Sequence, residues 1–364
     1  MPLVPDLKIF WSFKEENMFK KSLALLLAIL MVIGMTACGN KGGGGGGEGG
    51  SDNEKYSGTV MLYTSTGEDV VVALKEAFEK KYPNVTMEYI QATSGKITSR
   101  LAAEFESGTI ACDTLWLADF SGIMTYKNED RLIQYKSPFA EKVDAKFKDP
   151  DGYYTAARIV VMGLGYSTTK SSDAEVPNNY DGLLSETFRN QIIMTHPSNS
   201  GTTKALVYAL VNSPKYGWPF FQSLKDYGTE VNESSNATNN AVASGGYKVC
   251  LGVDYNVKNL MDQGSPIGWR DTEDIVAVPC PIAVVKGCPN EELGKLLLDF
   301  ILDPEGGQKI MVDMNITVSS PDVQLKPGML SSDELAAKAL PIDWEDLAKT
   351  GKDMIAKYNE IFQK

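Results

Sequence analysis

From residue 56 onward, apolar positions repeat in two rhythms, and the switches between them predict the elements. Residues 59–63 form a short β-rich run. Val70, Val71, Leu74 and Phe78 then recur on one helical face, behind a capping pattern that begins at Thr66 (Thr66-x-x-Asp69) and before Pro83, which ends the helix. Val85, Met87 and Tyr89 alternate as a second strand. Ser94-Gly95 opens a helix carrying Ile97, Leu101 and Phe105 on one side, and residues 114–117 form a buried strand. This β-α-β-α-β order predicts a parallel sheet covered by helices.

Residues 153–167 form an extended run longer than most single strands, suited to a crossover between lobes. A helix around 181–189, a strand at 191–195 and an apolar helix opened by the 198–203 loop follow. Another helix starts at Gly217-Trp218 and ends near Gly228; a polar stretch (233–240) and a strand (247–253) come next. Residues 274–286 form a second long extended run, suited to the return crossover, and 291–302 form an amphipathic helix. The fold class predicted is α/β, with two lobes joined by a two-strand hinge and a ligand cleft between them. Lobe one is assigned residues 56–160 and 275–320. Lobe two is assigned residues 161–274 and 321–364, the latter including C-terminal helices over 332–362.

The N-terminal segment changes the picture by fixing a compartment. Lys20 and Lys21 precede an apolar run over 23–33 and then Gly34-Met35-Thr36-Ala37-Cys38. A basic stretch, a short apolar core and small residues before a cut site describe a signal peptide at residues 18–37. The run is shorter than the ~20 apolar residues that span a bilayer. Residues 1–17 precede Met18 and read as a start-site misassignment. Residues 38–55 are dominated by glycine and form a tether spanning on the order of 23 Å.

Charge and cysteines narrow the classes further. The chain carries a formal charge of -12, and removal of residues 1–37, with four Lys and three acids, leaves -13. So acidic a body is poorly suited to nucleic acid. With Cys38 set aside, Cys112, Cys250, Cys280 and Cys288 show no CxxC or Cys/His cluster, so no metal site is expected. Cys280 and Cys288 flank a short apolar run, and their pairing is left open by spacing.

Thr36-Ala37-Cys38-Gly39 resembles the lipobox of bacterial lipoproteins, although Met35 stands where Leu, Val or Ile is usual. The body resembles the type II periplasmic solute-binding proteins, in the branch usually labelled ferric-iron ABC-transporter substrate-binding proteins. The segments carrying this resemblance are Val60-Met61-Leu62-Tyr63-Thr64-Ser65, Asp113-Thr114-Leu115-Trp116, Gly217-Trp218-Pro219-Phe220-Phe221, and Asp299-Phe300-Ile301-Leu302-Asp303-Pro304-Glu305-Gly306-Gly307-Gln308. The resemblance implies lipidation at Cys38 and a protein held on the outer side of the cell membrane. It also implies cleft closure on one small ligand without chemistry, no cofactor, and delivery to an ABC permease; a monomer is expected.

Iron binders of that branch use neighbouring tyrosines after a lobe-two strand, and here the matching place reads Val253-Asp254-Tyr255-Asn256, with one tyrosine missing. Ferric iron is therefore the second reading. The first is a phosphate- or phosphonate-bearing ligand, held by hydroxyl and glycine residues at predicted helix starts. These are Ser65 and Thr66, Ser94 and Gly95, and Ser200-Gly201-Thr202-Thr203, where unpaired N–H groups suit anion oxygens. Ser and Thr are equally good N-caps, and Glu68 and Asp69 make an anion less welcome beside Thr66. Asp254 and Tyr255 end a strand where the family places ligand groups, and Asn236 is a weaker candidate. Arg100, Arg158 and Arg270 could each neutralise an anion, but exposure is the commoner fate of arginine. No catalytic residues are assigned, for the chain lacks GxSxG, Walker A and HExxH motifs. A carboxylate-only hydrolase or a sensory or adhesive lipoprotein on the same fold remains open.

Overall fold

β1 (Gly58–Thr64) pairs in parallel with β2 (Val85–Gln91) on one edge and β3 (Thr114–Trp116) on the other. Its two faces feed two apolar clusters. Val60 and Leu62 pack with Val70, Val71, Leu74 and Phe78 of α1 (Glu68–Lys81). Tyr63 and Leu115 pack with Ile97 and Leu101 of α2 (Ser94–Ser107). Burial on both faces is what a parallel sheet with helical crossovers requires, each such side chain contributing about 1.5–3 kcal/mol. The computed structural model describes residues 55–363. The segments 1–17 and 18–37, Cys38 and the tether short of residue 55 lie outside the described residues.

Both long extended runs are single strands. β4 (Thr155–Ser167) pairs antiparallel with β9 (Val276–Val284) over Thr155–Met162, and β9 continues onto β3. Further along, β4 pairs with β7 (Val249–Val253) and with β8 (Ile267–Arg270), while β10 (Thr317–Val318) covers its first half. Neighbours on both edges bury all thirteen β4 residues. The two crossovers therefore run side by side and share one sheet, ordered β2-β1-β3-β9-β4-β7-β5-β6, where β5 is Ile192–Thr195 and β6 is Glu230–Asn232. One α/β half lies on either side of this pair.

The second half repeats the strand–helix alternation. β5 leads through Ser200 into α4 (Gly201–Val211), and β7 leads into α7 (Asp254–Asp262). The first half carries α3 (Phe120–Asn128) after β3, and the second carries α5 (Gly217–Asp226). The polar stretch at 233–240 enters α6 (Ser235–Ala243), whose N-cap Ser234 accepts from the Ala237 N–H at 3.2 Å. The helix predicted around 181–189 is instead two 3-10 turns, Asp181–Leu184 and Glu186–Phe188. At α1 the cap is Gly67, and Thr66 turns back to Thr64, whose hydroxyl donates to Thr66 Oγ1 at 3.0 Å.

α8 (Glu291–Leu302) matches the predicted amphipathic helix and packs Leu293, Leu297 and Phe300 into the first half; α9 (Lys309–Asp313) follows it. The C-terminal helices, assigned in advance to lobe two, pack on both halves. Leu335 of α10 (Ser332–Lys338) joins Val143, Phe147 and Ala156. α11 (Trp344–Phe362) sets Trp344 against Phe120 at 5.1 Å and Tyr358 against Phe221 at 6.2 Å. Cys112, Cys250, Cys280 and Cys288 are all free thiols, so the Cys280–Cys288 pairing does not occur. Among the described residues no helix is long and apolar enough to cross a membrane.

Candidate functional site

In an α/β sheet, the crevice beyond the carboxyl ends of the parallel strands is where helix N-termini converge. Here a cavity of about 80 Å³ occupies that crevice, between the two halves. The first half lines it with Ser65 and Gly67 after β1, Thr93 and Ser94 after β2, and Ala118 after β3. The second half contributes Asn199, Ser200 and Thr202 after β5, Ser234 to Asn236 after β6, and Tyr255 and Asn256 at the start of α7. Arg158 and Val160 of β4 also line it. The first turns of α2, α4, α6 and α7 all border this space, so their N-terminal partial positive charges add there.

Six of the residues singled out from the sequence line the cavity: Ser65, Ser94, Ser200, Thr202, Asn236 and Tyr255. Ser200 also caps its helix, accepting from the Thr203 N–H at 3.2 Å and sharing a hydrogen bond with the Thr202 hydroxyl at 2.8 Å. Capping and cavity lining are thus compatible at one residue. Ser65 accepts from the Ala118 N–H at 3.0 Å, which ties the ends of β1 and β3 together.

Thr66, Gly95, Gly201, Thr203 and Asp254 do not line it. Asp254 is buried, and its Oδ1 accepts from the Val161 N–H at 3.1 Å, with Lys258 Nζ 4.0 Å from the other oxygen. Burial pushes its carboxyl up to about 6. The two glycines serve another purpose than close approach of a ligand. A Cβ on Gly201 would lie 2.2 Å from the Ala118 carbonyl oxygen, and one on Gly95 would lie 2.4 Å from that of Ser198. Each glycine lets the backbones of the two halves touch.

Those touching points belong to a seam flanking the cavity. The Gly95 N–H meets the Asn199 carbonyl at 3.4 Å. Lys204 of α4 forms an ion pair with Asp119, the N-cap of α3, at 2.6 Å. Burial alone would raise the Asp119 carboxyl, but Lys204, the Gly122 N–H and the Ser121 hydroxyl together hold it below the usual carboxylate range. Further out, Asn259 reaches Asp69 at 3.4 Å.

Arg158 is the residue the sequence undersold. It is 1 % exposed, and neither its Nε nor its Nη1 has a hydrogen-bond partner. Among the described residues it forms no ion pair. Its guanidinium lies 5.2 Å from the Trp116 ring and 4.8 Å from the Tyr255 ring. Burial opposes the charge, but Tyr255, Cys280 and Asp254 together hold its pKa above the ordinary arginine value. A register shift between Ala156 and Arg158, in the pairing of β4 with β9, marks a β-bulge, a device that re-aims side chains. The Thr93 hydroxyl, also at the cavity, is buried without a partner. A buried cation with unmet donors at a cavity wall can be satisfied by an anion placed in that cavity.

Residues 120–350 match the family model described as bacterial extracellular solute-binding protein. No curated protein sequence matches the chain. Several solved structures share the fold. The substrate-binding protein of an ABC transporter from Agrobacterium tumefaciens has a TM-score of 0.76 and 17% identity, covering 86% of this chain and 96% of its own. The periplasmic binding protein AfuA from Actinobacillus pleuropneumoniae, with fructose-6-phosphate bound, gives 0.73 and 20%, covering 84% and 98%. Iron-bound HitA from Pseudomonas aeruginosa gives 0.71 and 16%, covering 82% and 99%.

Proposed function

We propose that this chain, which belongs to the bacterial extracellular solute-binding protein family, captures a small anion bearing a phosphate or phosphonate group and delivers it to an ABC permease. The observation that carries the ligand class is Arg158, a buried guanidinium with two unmet donors at the wall of the cavity. The hydroxyls of Thr93, Ser94, Ser200 and Thr202 and the helix N-termini supply further donors for anion oxygens. The ligand enters while the halves are apart and is enclosed when the seam of Gly95, Asp119, Gly201 and Lys204 forms. Capture needs no chemical change in the solute.

The iron reading finds less support. A ferric site wants several anionic oxygens. Among the described residues, the cavity lining offers one phenol, Tyr255, beside a fixed cation and no carboxylate. Among the described residues, no group of three or more His, Cys, Asp or Glu is placed to hold a metal ion.

The test is calorimetric titration of the full-length chain with potassium phosphate, methylphosphonate and ferric citrate, repeated with Arg158→Gln. Binding of phosphate or methylphosphonate that is lost in the variant supports the anion reading; binding of ferric citrate alone refutes it. Membrane attachment through a lipid on Cys38 belongs to the same proposal. Labelled palmitate should enter the wild-type chain and not Cys38→Ser, and equal labelling would remove the anchor from it. Loss of solute uptake on deletion, with no change in signalling output, separates a transport role from a sensory one.

A further inference from the structure

Resting on the anion reading above, we infer that the site selects a phosphate- or phosphonate-bearing anion that carries no ammonium group. The charge of the cavity lining leads there.

Among the described residues Arg158 is the only charged side chain of the lining; the remaining polar groups are hydroxyls and amides. The acids around the crevice are turned elsewhere. Asp119 faces Lys204 and the Gly122 N–H, Asp254 faces the Val161 N–H, and Asp69 faces Asn259. A zwitterion such as 2-aminoethylphosphonate would bring an ammonium into a space holding a guanidinium and several helix N-termini, with no carboxylate to receive it.

Calorimetry on the full-length chain with potassium phosphate, methylphosphonate, 2-aminoethylphosphonate and fructose 6-phosphate tests the inference. Methylphosphonate should bind at least about tenfold more tightly than 2-aminoethylphosphonate. The variant Asn236→Asp, at an exposed position on the cavity rim, should raise the affinity for 2-aminoethylphosphonate relative to methylphosphonate by about tenfold. Binding of 2-aminoethylphosphonate by the wild-type chain as tight as that of methylphosphonate, or tighter, overturns the inference and leaves the anion reading standing. No binding of any of the four overturns both.

Discussion

Replacing Arg158 with methionine should stabilise the ligand-free protein while abolishing its response to ligand. Two guanidinium donors of Arg158 are buried without a protein partner, each costing about 1–3 kcal/mol where it is left unmet. Against this stand the contacts of the cation with the Trp116 and Tyr255 rings, each contributing about 0.5–2 kcal/mol. The donors outweigh the rings by about 2 kcal/mol, and a methionine keeps much of the aliphatic volume within β4. For a body of this size, that corresponds to a rise in Tm of about 4 °C or less. The wild-type protein should gain about 2.7 kcal/mol at a ligand concentration one hundred times Kd, and the variant should gain almost nothing. Differential scanning calorimetry with and without potassium phosphate reads both effects together. A ligand-free variant destabilised by more than about 1 kcal/mol, with the phosphate-induced shift intact, would refute the reasoning, since Arg158 would then be an ordinary satisfied core residue.

Three further outcomes follow from the seam and from β4. Lys204→Met leaves Asp119 buried without its cation, so phosphate affinity should fall by about tenfold or more; small-angle scattering in phosphate should then show a larger radius than for wild type, and an unchanged Kd counts against a closing role. Gly201→Ala places a methyl group against the Ala118 carbonyl, so phosphate affinity should drop; equal affinity would mean that this contact is not part of closure. Burial raises the Asp254 carboxyl to about 6 from 3.8, so between those values the folded chain holds a proton that the unfolded chain has released. Its contribution is fully present below about pH 4 and is lost as pH rises through 6, a change of up to about 3 kcal/mol. Asp254→Asn keeps a carbonyl for the Val161 N–H and should lose less stability than wild type from pH 4 to 7 in urea titrations; parallel curves would remove Asp254 as the cause.

Local patterns that carry their own physics were legible in the chain. The 3.6-residue spacing of Val70, Val71, Leu74 and Phe78 and the continuous apolar run of β4 follow from which face must be buried, and both recur in the structure. Ser94, Ser200 and Thr202, expected at helix starts after strands, line the crevice, whereas Thr66 and Thr203, expected on the same ground, do not. The 3-10 turns at 181–188 and the helix within 233–240 were not, because short polar segments have weak intrinsic preference and their neighbours decide.

The chain by itself determined a two-half α/β body with its helix starts gathered at one crevice. Only the tertiary structure decided what that crevice contains. Arg158 looks like one arginine among several until the β4 bulge and the strands on both edges bury it with two of its donors unmet. Gly95 and Gly201 look like room for a ligand until the opposite half is seen to fill that room. Asp254 looks like a ligand group until β4 offers it the Val161 N–H. In each case the deciding partner lies far away along the chain, and sequence spacing carries no information about which distant group will satisfy a buried charge or occupy a missing side chain's space.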